Sequence, residues 1–264
     1  MSDSGRPVAL VTGASSGLGR EFAVQLARGG HDLVLVARDA ARLTALAGEL
    51  HAAHGAACEV IAADLCRDDD TSRVVARIDR APIDLLVNNA GFGTRGSIAR
   101  AAREGQDAMI RVHVLATHRL TQAAVQSMVP RGTGAIIVVS STASYLTSPG
   151  NVNYASTKAW QRLYAECLDL EVRGRGVYVQ ALCPGYTHTE FHARGEMDMS
   201  RYPSWVWMEA SRVVATSLAA LGRRRPVVVV PGAGYRVASL ALRFMPRWLW
   251  RAIISIRRGR HRAA

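Results

Sequence analysis

Residues 8–22, VALVTGASSGLGREF, decide the fold. Residues 8–12 are a short apolar run rich in β-branched side chains, which predicts a buried strand. Three glycines come next, at Gly13, Gly17 and Gly19, and a helical pattern is under way by Arg20. Such a turn lets the backbone approach a pyrophosphate, whose charge is favoured by the helix N-terminus. The stretch therefore indicates a nucleotide-binding α/β unit, with a purely structural turn as the alternative.

The same alternation of strand and helix patterns continues along the chain. The strand candidates are 8–12, 32–37, 58–63, 83–89, 135–141, 177–183 and 226–231, and the helical stretches include 17–29, 39–53, 105–130 and 154–173. Near-continuous apolar strands separated by helices indicate a parallel sheet covered on both faces. We predict an α/β fold: a single doubly wound Rossmann-type domain with a seven-stranded parallel sheet over residues 1–232, followed by a basic amphipathic C-terminal extension over residues 233–264.

Composition limits the class of protein. A chain of 264 residues with 49% hydrophobic content is long enough for one large core. The N-terminus has no secretory signal pattern, and no apolar run reaches the roughly 18 residues of a membrane span, so a cytoplasmic location is expected. The four cysteines are scattered and form no C-x-x-C pair, which predicts neither a metal site nor a disulfide framework.

The positive charge is concentrated at the C-terminal end. Residues 210–264 contain twelve arginines and no Asp or Glu, and subtraction from the totals leaves 21 basic and 21 acidic residues in 1–209. A neutral body with a basic tail argues against a nucleic-acid-binding fold. It favours contact between the tail and an anionic surface.

The end of the second predicted strand points to the cofactor. An acidic residue there would bind the adenosine ribose of NAD, whereas arginine matches the 2′-phosphate of NADP. Arg38 follows two small apolar residues, so NADP is favoured over NAD. The alternative is that Arg38 is a surface arginine at a strand end with no role in cofactor binding. Asp39 is read as the N-cap of the next helix. Asp64 and Leu65, after the third strand, are placed beside the adenine; Asp64 is alternatively a helix cap.

Tyr154 and Lys158 form the chemical pair. They stand at i and i+4 of a helical stretch, so they lie on one face. Lys158 is the only lysine of the chain, since the other 32 basic residues are arginine. An ammonium lowers the pKa of a nearby phenol, and its compact charge can reach beneath a tyrosine where a guanidinium cannot. Ser140 and Ser141 end the fifth strand; they either hold a substrate oxygen or form a turn.

Four motifs in this order, TGASSGLG (12–19), NNAG (88–91), SS with YASTK (154–158), and PGYTHT (184–189), resemble the short-chain dehydrogenase/reductase family over about residues 6–232. The resemblance implies hydride exchange between a nicotinamide and a carbonyl or alcohol carbon. It makes Tyr154 the proton donor or acceptor, gives Lys158 the nicotinamide ribose, and selects Ser141 over Ser140 by its distance from the tyrosine. The residues and the resemblance together predict these cofactor-binding residues: Gly13, Ser15, Ser16, Gly17, Leu18, Gly19, Arg38, Asp64, Leu65, Asn89, Ala90, Gly91, Tyr154, Lys158, Pro184, Gly185, Thr187 and Thr189.

One residue departs from the family pattern. The family commonly has asparagine in the helix before the active serine, and its backbone carbonyl holds a water that contacts the lysine; here the position is His113, in RVHVLA. Because any residue supplies a carbonyl, we expect a tolerated substitution, and a new catalytic base is the alternative. The family is usually dimeric or tetrameric, so a homodimer or homotetramer is expected.

The substrate is predicted to be lipophilic. The insert after Thr189 contains Met197, Met199, Tyr202, Trp205, Trp207 and Met208. They either form a lid for a steroid-, retinoid- or fatty-chain-like substrate or dock the loop onto the body.

Two faces are predicted for the tail. Arg243, Arg247, Arg251 and Arg258 share one side, with Leu240, Phe244, Trp248, Leu249, Ile253 and Ile256 around the rest and Pro246 starting a second helix. This pattern predicts peripheral contact with the cytoplasmic face of a membrane. Docking onto a partner subunit is the first alternative and nucleic-acid binding is the second.

These features together predict an NADP(H)-dependent oxidoreductase acting on a lipophilic carbonyl or secondary alcohol, with no metal. The alternative is a catalytically silent NADP-binding sensor that acts through its basic tail.

Overall fold

The computed structural model describes residues 5–94, 97–147, 149–190, 203–246 and 248–250. The strands are β1 Val8–Thr12, β2 Asp32–Ala37, β3 Cys58–Ala62, β4 Leu85–Asn88, β5 Gly134–Val139, β6 Val177–Leu182, β7 Thr187–His188, β8 Met208–Glu209 and β9 Val228–Val229. The helices are α1 Gly17–Arg28, α2 Ala40–His54, α3 Asp68–Arg80, α4 Arg103–Ile110, α5 Thr117–Arg131, α6 Val152–Val172, α7 Ala210–Arg223 and α8 Ala233–Phe244.

Seven of these strands form one sheet in the order β3-β2-β1-β4-β5-β6-β9, and every neighbouring pair is parallel. The predicted doubly wound fold with a seven-stranded parallel sheet is confirmed. The strand order reverses between β1 and β4, and the crevice above such a reversal is where doubly wound folds bind ligands. Strand β9 is shorter than the predicted 226–231 because the prolines at both ends of that run lack the N–H that a ladder needs.

Alternate side chains of the strands enter two separate cores. Leu10 packs on one face of the sheet with α3, α5 and α6. Its neighbours Ala9 and Val11 pack on the other face with α1, α2 and α7. All six residues of β2 are buried, since helices cover both of its faces. This double cover is why the strands read as continuous apolar runs in the sequence.

The predicted helix 105–130 is divided in the structure. Helix α4 continues into a π-helical segment over Arg111–Ala116, which contains His113, and then into α5. A π-turn accommodates one extra residue per turn and is frequent at functional sites. Asp39 is the N-cap of α2, as predicted, because its carboxylate accepts a hydrogen bond from Arg42 N at 3.0 Å.

Two further elements lie beside the crevice. β7 pairs with β8 in a two-stranded ladder that the sequence did not predict. Helix α8 is followed by Pro246 and a helical turn at 248–250. The predicted tail positions Arg247, Arg251, Ile253, Ile256 and Arg258 lie outside the described residues. Over the part of the chain that the structure describes, none of the helices combines the length and apolar character needed to cross a bilayer.

Candidate active site

The glycine turn between β1 and α1 is closely packed. Gly13 has φ +66°, and a Cβ there would lie 3.0 Å from the Ala90 backbone. At Gly19 an added Cβ would approach the carbonyl oxygen of Gly13 to 2.1 Å. Any larger side chain at Gly19 would therefore displace the turn, whose backbone leads directly into the N-terminus of α1 at the crevice.

The NNAG motif fixes this turn to β4. Asn89 Nδ2 donates to Thr12 O at 2.9 Å. The hydroxyl of Thr12 accepts hydrogen bonds from the backbone N–H groups of Asn89 and Ala90 and donates to Val87 O. Strands β1 and β4 are the two that flank the reversal of strand order, so these bonds hold the two walls of the crevice at a fixed separation.

A cavity of about 1450 Å³ occupies this crevice. It is lined by all but two of the predicted site residues. Gly19 does not line it because it is packed against the Gly13 carbonyl inside the turn. His113 does not line it either, since the imidazole is fully buried beneath the site. The residues predicted to bind the phosphates, the adenosine and the nicotinamide therefore lie along one cleft with the residues predicted to carry out the chemistry.

The adenosine end carries the predicted arginine. Arg38 is exposed and lines the cavity beside Asp64 and Leu65. Asp64 is not the cap of α3, because Arg67 holds that position; the Asp64 carboxylate instead accepts a hydrogen bond from Cys66 N at 3.0 Å. Across the cleft mouth, Arg42 Nη1 lies 3.0 Å from a carboxylate oxygen of Glu190.

Helix α6 and the end of β5 bring the chemical groups together. Lys158 Nζ lies 5.8 Å from the centre of the Tyr154 ring, and Ser141 hydrogen-bonds the Tyr154 side chain. Ser140 is buried and donates to the Lys158 backbone carbonyl at 2.7 Å. The two serines therefore have different parts: Ser140 ties β5 to α6, and Ser141 faces the cavity.

Burial shifts the proton affinities of this pair. The prediction that Lys158 lowers the pKa of Tyr154 is wrong: withdrawal from water raises this pKa to about 12, and the hydrogen bond with Ser141, not the charge of Lys158, opposes that rise. Burial lowers the pKa of Lys158 to about 7. The phenol is consequently protonated at neutral pH, and the lysine ammonium is close to its titration point, so the charge of Lys158 depends on its immediate hydrogen-bond partners.

Lys158 has two such partners in the protein. Its Nζ donates to Val139 O and to Gln161 Oε1, each at 2.8 Å. Sequence reasoning missed Gln161, although its position three residues after Lys158 places both on the same helix face.

The His113 ring acts as a connector below the site. Its Nε2 accepts from Phe92 N at 3.2 Å, and its Nδ1 is 2.9 Å from Thr157 Oγ1. Because Nε2 is the acceptor, we assign the proton to Nδ1. Burial, with the charge of Lys158 as a smaller cause, holds the pKa of His113 well below its usual value. The neutral ring thus joins the loop after β4 to α6.

The end of the cleft that is predicted to hold the nicotinamide is formed by the PGYTHT motif and by α8. Pro184, Gly185, Thr187 and Thr189 line the cavity, as do Tyr235, Ala238, Ser239 and Leu242 of α8. A Cβ at Gly185 would approach the Tyr235 ring to 2.1 Å. The Tyr235 hydroxyl donates to Val206 O at 2.6 Å and accepts from Tyr186 N at 3.1 Å. Helix α8 is therefore a wall of the site, which its tail-like composition concealed.

The insert predicted to form a lid or to dock onto the body is described only in part. Met197, Met199 and Tyr202 lie outside the described residues. Trp205 is exposed, whereas Trp207 stacks on His188 with ring centres 5.1 Å apart. Met208 packs against the core. The two positions nearest α7 thus dock the loop onto the body.

Comparisons with known proteins agree with this geometry. The family model of short chain dehydrogenase matches residues 7–199. A short-chain dehydrogenase from Sphingobium yanoikuyae, solved in complex with NADPH, is 35% identical, with a TM-score of 0.82 and coverage of 98% of this chain and 96% of that one. The bulky-bulky ketone specific alcohol dehydrogenase from Comamonas testosteroni is 29% identical, with a TM-score of 0.77 and coverage of 98% and 94%.

A sequence relative has a longer chain. The very-long-chain 3-oxoacyl-CoA reductase of Phaeosphaeria nodorum is 27% identical over 96% of this chain and 76% of its own length. Matches to two Aspergillus proteins of the same description span 51% of their length.

Proposed function

The chain belongs to the short-chain dehydrogenase family, and from that premise we propose that it is an NADP(H)-dependent oxidoreductase acting on a lipophilic carbonyl or secondary alcohol. The observation that carries the proposal is the grouping of Ser141, Tyr154 and Lys158 at one end of a glycine-lined cleft. The cleft also offers the space, the open helix N-terminus and the close backbone approach that a dinucleotide needs.

The choice of NADP(H) rests on the adenosine end of the cleft. Arg38 follows the small residue Ala37 and is exposed in the cavity, where a guanidinium can pair with a 2′-phosphate. The Sphingobium yanoikuyae neighbour was solved with NADPH. Residues Gly13, Ser15, Ser16, Gly17 and Leu18 would hold the pyrophosphate, and Thr187 and Thr189 would border the nicotinamide.

Proton transfer is assigned to Tyr154. Because burial raises the pKa of Tyr154 to about 12, the phenol keeps its proton at neutral pH and can donate it to a carbonyl oxygen held by the Ser141 hydroxyl. NADPH, when bound, would supply the hydride for the reduction. Lys158 orients the cofactor ribose and stabilises the tyrosine anion through its positive charge. The reverse sequence oxidises an alcohol.

A substrate screen with a tyrosine variant tests the activity. Diverse ketones and alcohols are offered with NADPH, NADH and their oxidised forms, and nicotinamide fluorescence is followed. Tyr154→Phe should lower kcat by about 10²–10⁴-fold while NADPH binding is retained, and Tyr164→Phe on the same helix should leave kcat unchanged. Equal rates in the Tyr154→Phe variant and the wild type would remove Tyr154 from the chemistry.

A lipophilic substrate fits the apolar part of the cavity wall. Phe92, Leu146 and Leu242 line it near the chemical groups, and apolar walls with a few convergent polar groups are typical of small-molecule sites. The names of the Comamonas testosteroni and Phaeosphaeria nodorum relatives, a bulky-bulky ketone and a very-long-chain 3-oxoacyl-CoA, support a large carbonyl substrate.

Peripheral membrane contact through the C-terminal region is supported by the outer face of α8. Val237, Leu240 and Phe244 are exposed there, and Trp248 is exposed just beyond the helix. Large apolar side chains beside arginines, in a region without acidic residues, are typical of helices that lie in the interface of an anionic bilayer.

Vesicle sedimentation tests this contact. Because α8 is also a wall of the site, point variants are better suited than removal of the tail. The double variant Leu240→Glu with Phe244→Glu should sediment with phosphatidylserine-containing vesicles much less than the wild type, while neutral vesicles bind neither protein. Equal sedimentation of the two proteins would refute the contact and leave a partner subunit as the occupant of this face.

A homodimer or homotetramer is proposed through α6. Leu163 and Leu170 are exposed on this helix, Leu170 to 85%, and large exposed apolar side chains in a row favour a second copy of the chain. Light scattering after size exclusion should give a multiple of 28.5 kDa for the wild type and a monomer for Leu163→Glu with Leu170→Glu. A monomeric wild type would refute the proposal.

The alternative of a catalytically silent sensor rested on His113. Its ring lies below the cavity, and the Tyr154 and Lys158 pair is in place above it, so no observation favours that alternative.

A further inference from the structure

One buried amide contacts both the lysine of the site and the residue that departs from the family pattern. Gln161 is 1% exposed. Its Oε1 accepts a hydrogen bond from Lys158 Nζ at 2.8 Å, and its Nε2 donates to the His113 carbonyl oxygen at 3.0 Å. Nε2 also lies 3.3 Å from the Thr117 hydroxyl. The amide therefore bridges α6 and the π-helical segment directly beneath the cavity.

The orientation of this amide follows from its neighbours. An ammonium can only donate, so the atom facing Lys158 must be the carbonyl oxygen; the backbone carbonyl of His113 can only accept, so the atom facing it must be the NH₂ group. In the opposite orientation the NH₂ group would face the Lys158 ammonium, so two donors would meet. The amide oxygen would face the His113 carbonyl oxygen, so two acceptors would meet. In the interior such mismatched groups are strongly disfavoured, and the bridge is consequently fixed in one sense.

We propose that Gln161 is a positioning residue, whose side-chain amide links the Lys158 ammonium to the His113 carbonyl in the place where the family pattern uses a water. The inference rests on the proposed function, since it gives Gln161 a part in the site assigned to Tyr154 and Lys158. With Val139 O and Gln161 Oε1 each accepting one N–H, Lys158 retains one for the cavity. Gln161 thereby sets both the aim of that N–H and the charge of the group.

The surroundings of Lys158 make these neutral acceptors decisive. The titratable groups that face it in the described chain are Tyr154 on its own helix, His113 on the π-helical segment and Cys183 after β6. Burial raises the pKa of Cys183 to about 11 and that of Tyr154 to about 12, and it lowers the pKa of His113. All three are neutral at pH 7, so hydrogen-bond acceptors rather than an anion stabilise the ammonium.

The single lysine of the chain permits a direct test. Labelling with [¹³Cε]lysine gives one side-chain resonance, whose chemical shift reports the protonation of Lys158 without turnover or cofactor. Gln161→Leu removes the acceptor and should increase the proton dissociation constant of Lys158 roughly tenfold or more, because a hydrogen bond to a charged group is lost. The control is Gln180→Leu: Gln180, on β6, is also fully buried and donates a hydrogen bond to Ser217 O of α7, and its loss should leave the titration of Lys158 unchanged.

A second variant keeps the test decisive if Gln161→Leu does not fold. Gln161→Glu places a carboxylate beside Lys158, so the resonance should titrate at higher pH than in the wild type. The same titration curve in the wild type, Gln180→Leu and whichever Gln161 variant folds would overturn the inference. NADPH binding measured by fluorescence should also weaken several-fold in Gln161→Leu and not in Gln180→Leu. A protein that shows these shifts but reduces no ketone would refute the proposed activity alone.

Discussion

At the scale of single residues, the proposed chemistry depends on groups whose proton affinities are set by burial. Tyr154 keeps its proton because burial raises its pKa to about 12. Burial lowers the pKa of Lys158 to about 7. A phenol that stays protonated suits proton donation to a carbonyl oxygen.

The titration of Lys158 predicts a pH dependence of stability. Its pKa falls from 10.5 to about 7 on folding, so between these values the unfolded chain binds more protons than the folded one, and the free energy of unfolding rises with pH. The part of the free energy of unfolding that depends on Lys158 is therefore at its highest above the unfolded pKa of 10.5 and decreases as the pH falls toward 7. Lys158→Met should lack it, so the wild type should gain on the variant by up to about 1.4 kcal/mol per pH unit in this window. Urea unfolding at pH 7 and pH 9.5 measures the difference; parallel curves would contradict the prediction.

Cofactor preference is predicted to lie in Arg38. Arg38→Ala should raise the KM for NADPH by about 10–100-fold, because one or two charge-assisted hydrogen bonds to the 2′-phosphate are lost, and should leave the KM for NADH nearly unchanged. Steady-state kinetics with both cofactors measure this. Arg28→Ala, at the exposed end of α1, is the matched control. A parallel rise in both KM values would show that Arg38 does not read the phosphate.

The residues that sequence reasoning placed well are those with a strong local signature. The three glycines of the turn have a spacing that predicts a close backbone turn. Tyr154 and Lys158 are four residues apart in a helical stretch, which predicts that they lie on one face. Gln161 was missed because its role depends on the His113 carbonyl, 48 positions away in sequence. The different roles of Ser140 and Ser141 follow only from their hydrogen bonds in the structure.

At the scale of elements, the main strands and helices were predictable from the sequence, and the irregular segments that connect them were not. β2 is apolar from Leu33 to Ala37, and this continuous apolar run predicts helices on both of its faces. The π-helical segment Arg111–Ala116 interrupts a helix that periodicity alone reads as continuous, because one extra residue in a turn barely changes the apolar pattern. The β7–β8 ladder was missed because two-residue strands carry no periodicity.

The attachment of α8 is predicted to depend on one hydroxyl. Tyr235→Phe removes both the donor to Val206 O and the acceptor for Tyr186 N, which should lower the free energy of unfolding by about 1–3 kcal/mol. Hydrogen exchange over 233–244 should accelerate as the helix loosens. Tyr164→Phe, whose hydroxyl lies 3.3 Å from Nδ1 of the exposed His118, should change neither. Unchanged exchange in Tyr235→Phe would mean that packing alone holds α8.

At the scale of the whole molecule, α8 has two functions in one helix. Ala238, Ser239 and Leu242 face the cavity, while Val237, Leu240 and Phe244 face outward. Composition revealed the outward face and its arginines. It could not reveal the inward face, because the cavity wall is completed only when the sheet brings β6 and the PGYTHT segment beneath the helix.

The two faces predict that membrane contact changes substrate kinetics. If the outer face lies on a bilayer, a lipophilic ketone dissolved there reaches the cavity wall directly, so phosphatidylserine vesicles should lower its apparent KM several-fold. The KM for a small water-soluble ketone and for NADPH should stay constant, and Leu240→Glu with Phe244→Glu should abolish the effect. An equal change for both ketones would point to an unspecific effect of the vesicles.

The burial of Lys158 has a practical consequence for any acylating reagent. The lysine is 4% exposed and has no counterpart elsewhere in the chain, so the outer surface offers no side-chain amine for crosslinking, surface immobilisation or enzymatic tagging. A slim amine reagent that modifies Lys158 must have entered the cleft, so the loss of yield when a nucleotide is present measures the fraction of occupied sites.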